Sequence, residues 1–574
     1  MKTLTGIIGS TGYGSGTAVV KREAAITPEP YAITDVAAEI KRFREAQAVC
    51  EARLNQLIEE SVGVSEDAVE IFGAHKTILH DEAFFQKALD RVESERVNIE
   101  SLIYEECQTV VALFAALEDP YLKERAADIE DVCNGLIRAL LGLEQDFKPG
   151  QTASDVIVIA HDLTPAETVQ MDKRTLRGFI TEKGGATSHT VILAKALGIP
   201  AITGLAGVVD AIADGDAVLM DAFTGTVTVN PDDATKAAFE TNAAAYREKQ
   251  KIYTEGAGQP AVTLDGHQVD VNVNTGDAES IAGFDVSRCD GIGLLRTEFL
   301  YMGRDDYPDE DTQYAVYRDL AERAAGKEVI IRTLDIGGDK QLGYMDLPVE
   351  DNPFLGYRAI RLCLDRRDVF HTQLRAILRA SAHGNVKIMF PMIINLEELR
   401  AAKACVEEAK ASLRAEGVAF NEDIPMGIMV ETPAAAILSD RLARESDFFS
   451  VGSNDLIQYV TATDRMNERI QYLYDSYNLS VLNAIRMVSE SADAAAIPWG
   501  ICGEVASDDR LVPLWVALGV AELSVAPSLV GRVKYLVRRC NVADLAGEME
   551  QVLALETADE VREALDQILT QVEG

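Results

Sequence analysis

In Gly184-Gly185-Ala186-Thr187-Ser188-His189-Thr190 a single histidine follows a glycine pair and small polar residues. The strand-like Leu176-Arg177-Gly178-Phe179-Ile180 comes before it. After it, Val191–Leu197 has the apolar spacing of a helix that Gly198 would end. At such a strand-to-helix turn, backbone N–H groups and the positive end of the helix dipole favour a phosphate. An imidazole in that place can accept a phosphoryl group and hand it on. A histidine in a glycine-rich turn needs no function by itself, so the reading depends on what the rest of the chain supplies.

A second set of candidates lies further along. Arg296 stands in Leu295-Arg296-Thr297-Glu298, Arg332 opens Arg332-Thr333-Leu334-Asp335, and Arg358 and Arg465 add two more guanidinium groups. Arginine is always charged, and its planar donor fork matches phosphate and carboxylate oxygens. A lone arginine is more often a surface ion pair, but Arg296 and Arg332 each end an apolar run. Glu431 and Asp455 also follow such runs, and two carboxylates beside arginines and an anion suit Mg²⁺. Ion pairing is the plainer role for acids in a chain this acidic. Cys502 sits in Gly500-Ile501-Cys502-Gly503-Glu504. A thiol with an ordinary pKa of about 8.5 stays protonated at neutral pH and can donate a proton. The other seven cysteines read as packing residues.

These candidates need elements that bring them together. Eight short apolar runs cover Val269–Val273, Gly291–Leu295, Val329–Ile331, Val386–Phe390, Gly427–Val430, Phe448–Val451, Trp499–Ile501 and Glu522–Val525, with helical patterns between them. Alternation of this kind predicts a (β/α)8 barrel over 261–574, whose C-terminal strand ends form one face. Upstream, residues 1–20 suggest two strands about a glycine-rich turn, and residues 155–230 return to α/β character. Helical patterns fill 21–144, with Thr34 as a candidate N-cap and one helix over 65–92. A helical connector spans 231–260 and ends in Gly256-Ala257-Gly258-Gln259-Pro260, a candidate hinge.

The 574 residues carry a formal net charge of -39. That opposes nucleic acid and anionic membrane, which need clustered Lys and Arg. It suits a basic protein partner, although a solvated acidic surface accounts for it equally well. No apolar run is long enough to span a bilayer, no secretory leader is evident, and the eight scattered cysteines read as reduced thiols. A cytoplasmic protein is expected. No GxxxxGK[ST] is present, so a P-loop is not supported.

The chain closely resembles the phosphoenolpyruvate–protein phosphotransferases, the enzyme I family of the bacterial phosphotransferase system. The resemblance rests on Tyr121–Asp128, Asp162-Leu163-Thr164-Pro165, the turn before His189, Asp335–Lys340 and Asn352–Arg358. It continues through Val430-Glu431-Thr432-Pro433-Ala434, Gly452-Ser453-Asn454-Asp455-Leu456 and Cys502-Gly503-Glu504. It implies a swivelling phosphohistidine domain (1–20 and 145–230), an inserted helical subdomain (21–144) that docks the phosphocarrier HPr, and a barrel that forms a homodimer. It further implies that His189 is phosphorylated and supported by Thr168. Arg296, Arg332, Arg358, Asn454 and Arg465 would bind phosphoenolpyruvate, Glu431 and Asp455 would hold Mg²⁺, and Cys502 would protonate the enolate. Ala186 and Lys195 stand where the family commonly has arginine. Lys195 keeps the charge without the fork, and Ala186 keeps neither. A nitrogen-system paralogue, expected to carry an extra sensory domain, and a phosphoenolpyruvate sensor without transfer are the alternatives. Pyruvate phosphate dikinase and phosphoenolpyruvate synthase share the histidine and barrel but need an ATP-grasp domain.

Overall fold

Residues 1–21 form three strands where the sequence suggests two: β1 (Lys2–Thr5), β2 (Ile7–Ser10) and β3 (Tyr13–Lys21). They join β4 (Val156–Ala160), β5 (Leu176–Thr181), β6 (Ala201–Thr203), β7 (Ala217–Asp221) and β8 (Thr226–Val229). The order across this sheet is β1-β8-β7-β3-β4-β5-β6-β2, with β3 to β6 parallel. The first two strands lie at opposite edges although only Gly6 separates them, so the sheet must curl round on itself. Gly225 holds this closure: its carbonyl accepts the Gly6 N–H at 2.9 Å, and it turns β7 into β8 at φ +69°. The computed structural model describes all residues except 23–26, 62–65, 116–119, 144–154, 165–166, 169–170, 172–173, 185–188, 277–284, 303, 339–341, 346 and 468.

Between β3 and β4 the described chain is helical, with helices at Val36–Ser61, Glu66–Leu79, Glu82–Glu95, Ile99–Ala115 and Pro120–Leu141. They close around a core that includes Phe43, Phe85, Val92, Leu102, Cys133 and Leu136. Two expectations need correction. The first helix is capped by Asp35, whose Oδ1 accepts the Ala38 N–H at 3.0 Å, and not by Thr34. The single helix expected over 65–92 is broken, because Asp81 accepts the Phe84 N–H at 3.1 Å and starts a new one. A short side chain that competes for backbone donors ends one helix and caps the next. Leu57 and Phe72 of this bundle pack on Leu193 of the helix His189–Leu197.

A helix over Asp233–Gly256, capped by Asp232 at the Thr235 N–H, contains the division between the two compact units, Met1–Tyr246 and Arg247–Gly574. The second unit is a closed parallel barrel. Its strands are β9 (Asp270–Thr275), β10 (Gly291–Arg296), β11 (Glu328–Arg332), β12 (Asn385–Phe390), β13 (Met426–Val430), β14 (Phe449–Gly452), β15 (Trp499–Cys502) and β16 (Glu522–Val525). Each overlaps one of the eight expected runs. Their outward residues, among them Val271, Ile292, Val329, Ile388, Val451 and Leu523, are buried beneath the surrounding helices. A parallel barrel strand is covered on both faces, which is why it reads as a short apolar run. Among the described residues no helix is long and apolar enough to cross a membrane, and all eight cysteines are free thiols.

The turn at Gly225 generates a test. A Cβ there would meet Gly6 O at 2.5 Å as well as occupy a positive φ. Gly225→Ala should destabilise the first unit by about 1–3 kcal/mol. Urea unfolding should show this loss in the first unit's transition, with the barrel's transition unmoved.

Candidate active site

Arg296 closes β10 and Arg332 closes β11, and the two are register partners across the parallel pair. Glu431 follows β13 directly, Asn454 and Asp455 open the helix after β14, and Cys502 is the last residue of β15. All of them therefore sit at the C-terminal face of the barrel. Arg358 and Arg465 reach the same place from connecting segments.

Arg332 is 7% exposed, its Nη2 donates to Glu298 Oε1 at 2.7 Å, and its Nη1 lies 2.8 Å from Asp335 Oδ2. Burial opposes its charge, but Asp335 and Glu298 outweigh burial and hold its pKa above the ordinary arginine value. Asp335 Oδ1 also accepts from Arg358 Nη2 at 2.9 Å, and that same nitrogen lies 3.2 Å from Asp455 Oδ2. Arg465 Nη1 approaches Asp455 Oδ1 at 3.4 Å. The result is an unbroken alternation of charge: Glu298, Arg332, Asp335, Arg358, Asp455, Arg465. Arg358 is steadied further by Tyr459, whose hydroxyl oxygen accepts from its Nη1 at 3.1 Å. Gly337 lets the Asp335 loop close over it, since a Cβ there would lie 2.4 Å from Arg358 Cβ, at φ +112°.

Three groups in this mouth keep bonding capacity in reserve. Arg296 is half-buried and makes no ion pair among the described residues. The Nε atoms of Arg332 and Arg358 are buried without a hydrogen-bond partner among the described residues. Such orphaned donors are costly unless a ligand satisfies them. Asn454 is half-buried, its Oδ1 accepting a long 3.4 Å bond from the Glu504 N–H. Glu431 is 2% exposed, and its Oε1 accepts the Met392 N–H at 2.6 Å. Burial, and then Asp455 and Asp335, push its carboxyl up to about 8. Cys502 is 3% exposed, and burial pushes its thiol up to about 11.

In the first unit His189 is the first residue of its helix; its side chain, and Ala186 with it, lie outside the described residues. Thr168 is buried, and its Oγ1 donates to Thr164 O at 3.0 Å. Thr190, which sequence reasoning passed over, donates its Oγ1 to Leu163 O at 2.7 Å and ties the helix's first turn to the loop before Thr168. Lys195 is exposed on the same helix.

Comparison with known proteins gives three family descriptions in sequence order. They are "PEP-utilising enzyme, N-terminal" over residues 5–125, "PEP-utilising enzyme, mobile domain" over 152–225 and "PEP-utilising enzyme, PEP-binding domain" over 250–542. The phosphoenolpyruvate-protein phosphotransferase of Priestia megaterium is 41% identical over 563 residues, 98% of each chain. Those of Bacillus subtilis (40% identical, 98% of each chain) and Haemophilus influenzae (40% identical, 99% of each chain) are similar to nearly the same extent. The chain belongs to the phosphoenolpyruvate–protein phosphotransferase family.

As a member of that family, the chain has partners in its mouth that sequence reasoning did not assign. Glu298 and Tyr459 hold arginines in place, and Asp335 bridges two of them. Glu298 and Asp335 each lie two or three residues beyond a strand-ending arginine, which was the available signal. Tyr459 offered none, because it comes from the helix Ser453–Thr461 and meets Arg358 only in the fold. For Mg²⁺, no group of three or more candidate ligands exists among the described residues, leaving the carboxylates Glu431 and Asp455. That donor set fits: Mg²⁺ takes one or two carboxylates and completes its shell with waters and substrate oxygens.

Glu298 is wholly buried against Arg332. Glu298→Ala should cost about 3 kcal/mol, because it strips a partner from a buried guanidinium. Denaturant unfolding of the barrel should report that loss, whereas removing the exposed partner Glu408 of Arg367 should change almost nothing.

Proposed function

We propose that the chain transfers the phosphoryl group of phosphoenolpyruvate to His189, releases pyruvate, and passes the group to the histidine of the phosphocarrier HPr. This is the entry step of a cytoplasmic sugar phosphotransferase system. The observation that carries the reading is the alternating arginine–carboxylate row at the barrel mouth, with one arginine and two Nε donors left over for an anion.

In this reading Arg296, Arg332, Arg358 and Arg465 bind the phosphate and carboxylate of the substrate, and Asn454 adds an amide. Glu431 and Asp455 hold Mg²⁺, which when bound neutralises charge on the transferring phosphoryl oxygens. A neutral His189 imidazole attacks phosphorus, the N–P bond forms, and the P–O bond to the enolate breaks. Phosphoryl transfer asks for positioning and charge stabilisation and little covalent help, which a rigid cluster of guanidinium groups provides. Cys502 then gives its proton to the enolate carbon to make pyruvate. Its burial suits the role, since a thiol near 11 holds its proton throughout the neutral range.

Thr168 supports the imidazole. The helical segment between β3 and β4 receives HPr, and the barrel pairs with a second copy. His189 and the mouth belong to different compact units, so His189 must travel, and the 231–260 connector is the hinge. Ala186 and Lys195 stand where the family commonly has arginine, and in this reading that bears on the hold on the phosphoryl group and not on the reaction class.

The test incubates the full chain with labelled phosphoenolpyruvate and Mg²⁺. An acid-labile phosphoprotein and equimolar pyruvate are expected, with label passing on to HPr. Label retained by His189→Ala, or a requirement for ATP, overturns the proposal. Cys502→Ala should still take up label while forming pyruvate about 100-fold more slowly at the enzyme. Chelation of divalent metal should abolish labelling, and added Mg²⁺ should restore it.

A further inference from the structure

The connector helix Asp233–Gly256 carries one continuous stripe of buried or half-buried residues. It runs through Phe239, Ala243, Tyr246, Gln250 and Tyr253 to Ala257 just beyond the helix, in alternating steps of four and three. What covers the stripe changes along its length. In the first unit Tyr13 is the centre of an aromatic cluster. Its ring lies 5.2 Å from Phe223, 5.4 Å from Phe239 and 5.9 Å from Tyr246, and Phe223 lies 5.2 Å from Tyr246. Tyr13 opens β3 and Phe223 belongs to the turn between β7 and β8, so the helix is fastened to the sheet as far as Tyr246.

The other half of the helix belongs to the barrel. Tyr253 is 7% exposed, joins the barrel's core and has its ring 4.9 Å from that of Tyr535. Its carbonyl oxygen would lie 2.3 Å from a Cβ on Gly531, so the helix Val530–Val537 meets this turn backbone to backbone. Lys249 Nζ lies 3.0 Å from Glu573 Oε2 on the last helix. The glycine-rich turn that the sequence offers as a hinge is part of the same attachment. Arg538 Nη1 donates to Gly256 O at 3.1 Å, Gln259 O at 3.3 Å and Pro260 O at 3.5 Å. Beyond the turn, Ala261 O accepts the Val269 N–H and Cys540 O accepts the Leu264 N–H, both at 2.9 Å. A pivot in Gly256–Pro260 would have to free the three carbonyls held by Arg538. If the helix then moved with the first unit, it would also draw Tyr253 out of the barrel's core.

We infer that the connector bends inside its helix, between Tyr246 and Tyr253, and that Tyr253–Pro260 stay with the barrel throughout. The inference rests on the reading that His189 travels between the two units, and it places the pivot of that movement. Aromatic packing ends at Tyr246 on one side and begins at Tyr253 on the other. Arg247, Glu248, Lys249, Lys251 and Ile252 in between are exposed, so water can replace the helical hydrogen bonds there as the turn opens. Backbone with few buried contacts and solvent-facing hydrogen bonds is where a structure opens most readily. The Lys249–Glu573 pair within this window is exposed enough for solvent to screen it, and it gives way at small cost. The sheet and the aromatic cluster then move as one body with His189, while the mouth keeps its geometry.

A cross-link over the bend provides the test. In the full chain, Ala245→Cys and Ile252→Cys place two thiols on exposed positions of one helix face, about 10.5 Å apart. A rigid thiol-reactive linker of that length then holds the intervening turns straight. The native thiols do not compete, since seven are buried and burial pushes the eighth, Cys50, up to about 11. Cross-linking should slow labelling of His189 from phosphoenolpyruvate and Mg²⁺ about tenfold or more, relative to the same variant left open. Transfer of label from phosphorylated HPr to His189, which in this reading involves the first unit alone, should proceed at its normal rate. A bridge between Ala238→Cys and Ala245→Cys, within the half fastened to the sheet, should leave both reactions as they were. Undiminished labelling from phosphoenolpyruvate across the 245–252 bridge overturns the inference, and so does an equal loss with the 238–245 bridge. A chain that takes no label from phosphoenolpyruvate before any substitution fails instead at the level of the proposed reaction. Hydrogen exchange in the unchanged chain is a second measurement that depends on no variant. The amides of Gln250–Ile252 should exchange about tenfold faster than those of the helical turns on either side, Ala243–Tyr246 and Thr254–Gly256. Exchange no faster than in those turns refutes the bend.

Discussion

The structure depends above all on the ability of two arginines to remain charged under cover. Arg332 and Arg358 are almost completely buried, and each is surrounded by carboxylates that are themselves buried: Glu298, Asp335 and Asp455. Removing such ions from water costs several kcal/mol apiece, and attraction within the protein repays it only if geometry is close and remaining donors are satisfied. Neither arginine meets that condition fully, since each keeps an orphaned Nε. Much of the barrel's top can be understood as the scaffold that holds these ions at fixed separation. Strand ends place Arg332, a glycine turn closes the Asp335 loop on Arg358, and the helix after β14 brings Asp455 and Tyr459 to meet it.

Alternation also reconciles an acidic protein with an anionic ligand. A chain of net charge -39 repels anions at long range, but screening confines that repulsion to roughly a Debye length at physiological salt. Inside the mouth the local balance differs. Glu298, Asp335 and Asp455 match Arg332, Arg358 and Arg465 one for one, and Arg296 is additional. Glu431 cancels that surplus, and burial, followed by Asp455 and Asp335, pushes its carboxyl up to about 8. A bound divalent ion and an anionic substrate are then complementary: each supplies the charge that the other's site lacks.

The barrel was legible because its strands are covered on both faces, so each appears as an apolar run, and because a polar residue at a run's C-terminal end is costly unless it has work to do. Arg296, Arg332 and Cys502 were visible in this way. The small sheet was less so. β1 is an exposed edge strand, Lys2–Thr5, with no apolar run to betray it, and the alternating Thr226–Val229 is only four residues long. The break at Asp81 was missed because the apolar spacing continues in phase on both sides. Partners such as Tyr459 were illegible in principle, as only the closed fold brings residues so far apart into contact.

The least legible feature was the direction in which short strands face. A four-residue run such as Glu522–Val525 does not announce whether its first residue points into the barrel or out to the helices, since both faces are buried. Only the closed barrel settles that Glu522 and Ser524 look inward while Leu523 and Val525 pack outward. Energetically this interior is a poor design for stability alone. Asn272 Oδ1 and Ser450 Oγ are buried without partners among the described residues, and each such atom costs about 1–3 kcal/mol. Apolar replacements of matching shape would remove that cost. A core that is apolar where β10 to β13 line it and polar where Asn272, Asn274, Ser450, Glu522 and Ser524 line it has given up stability on one side.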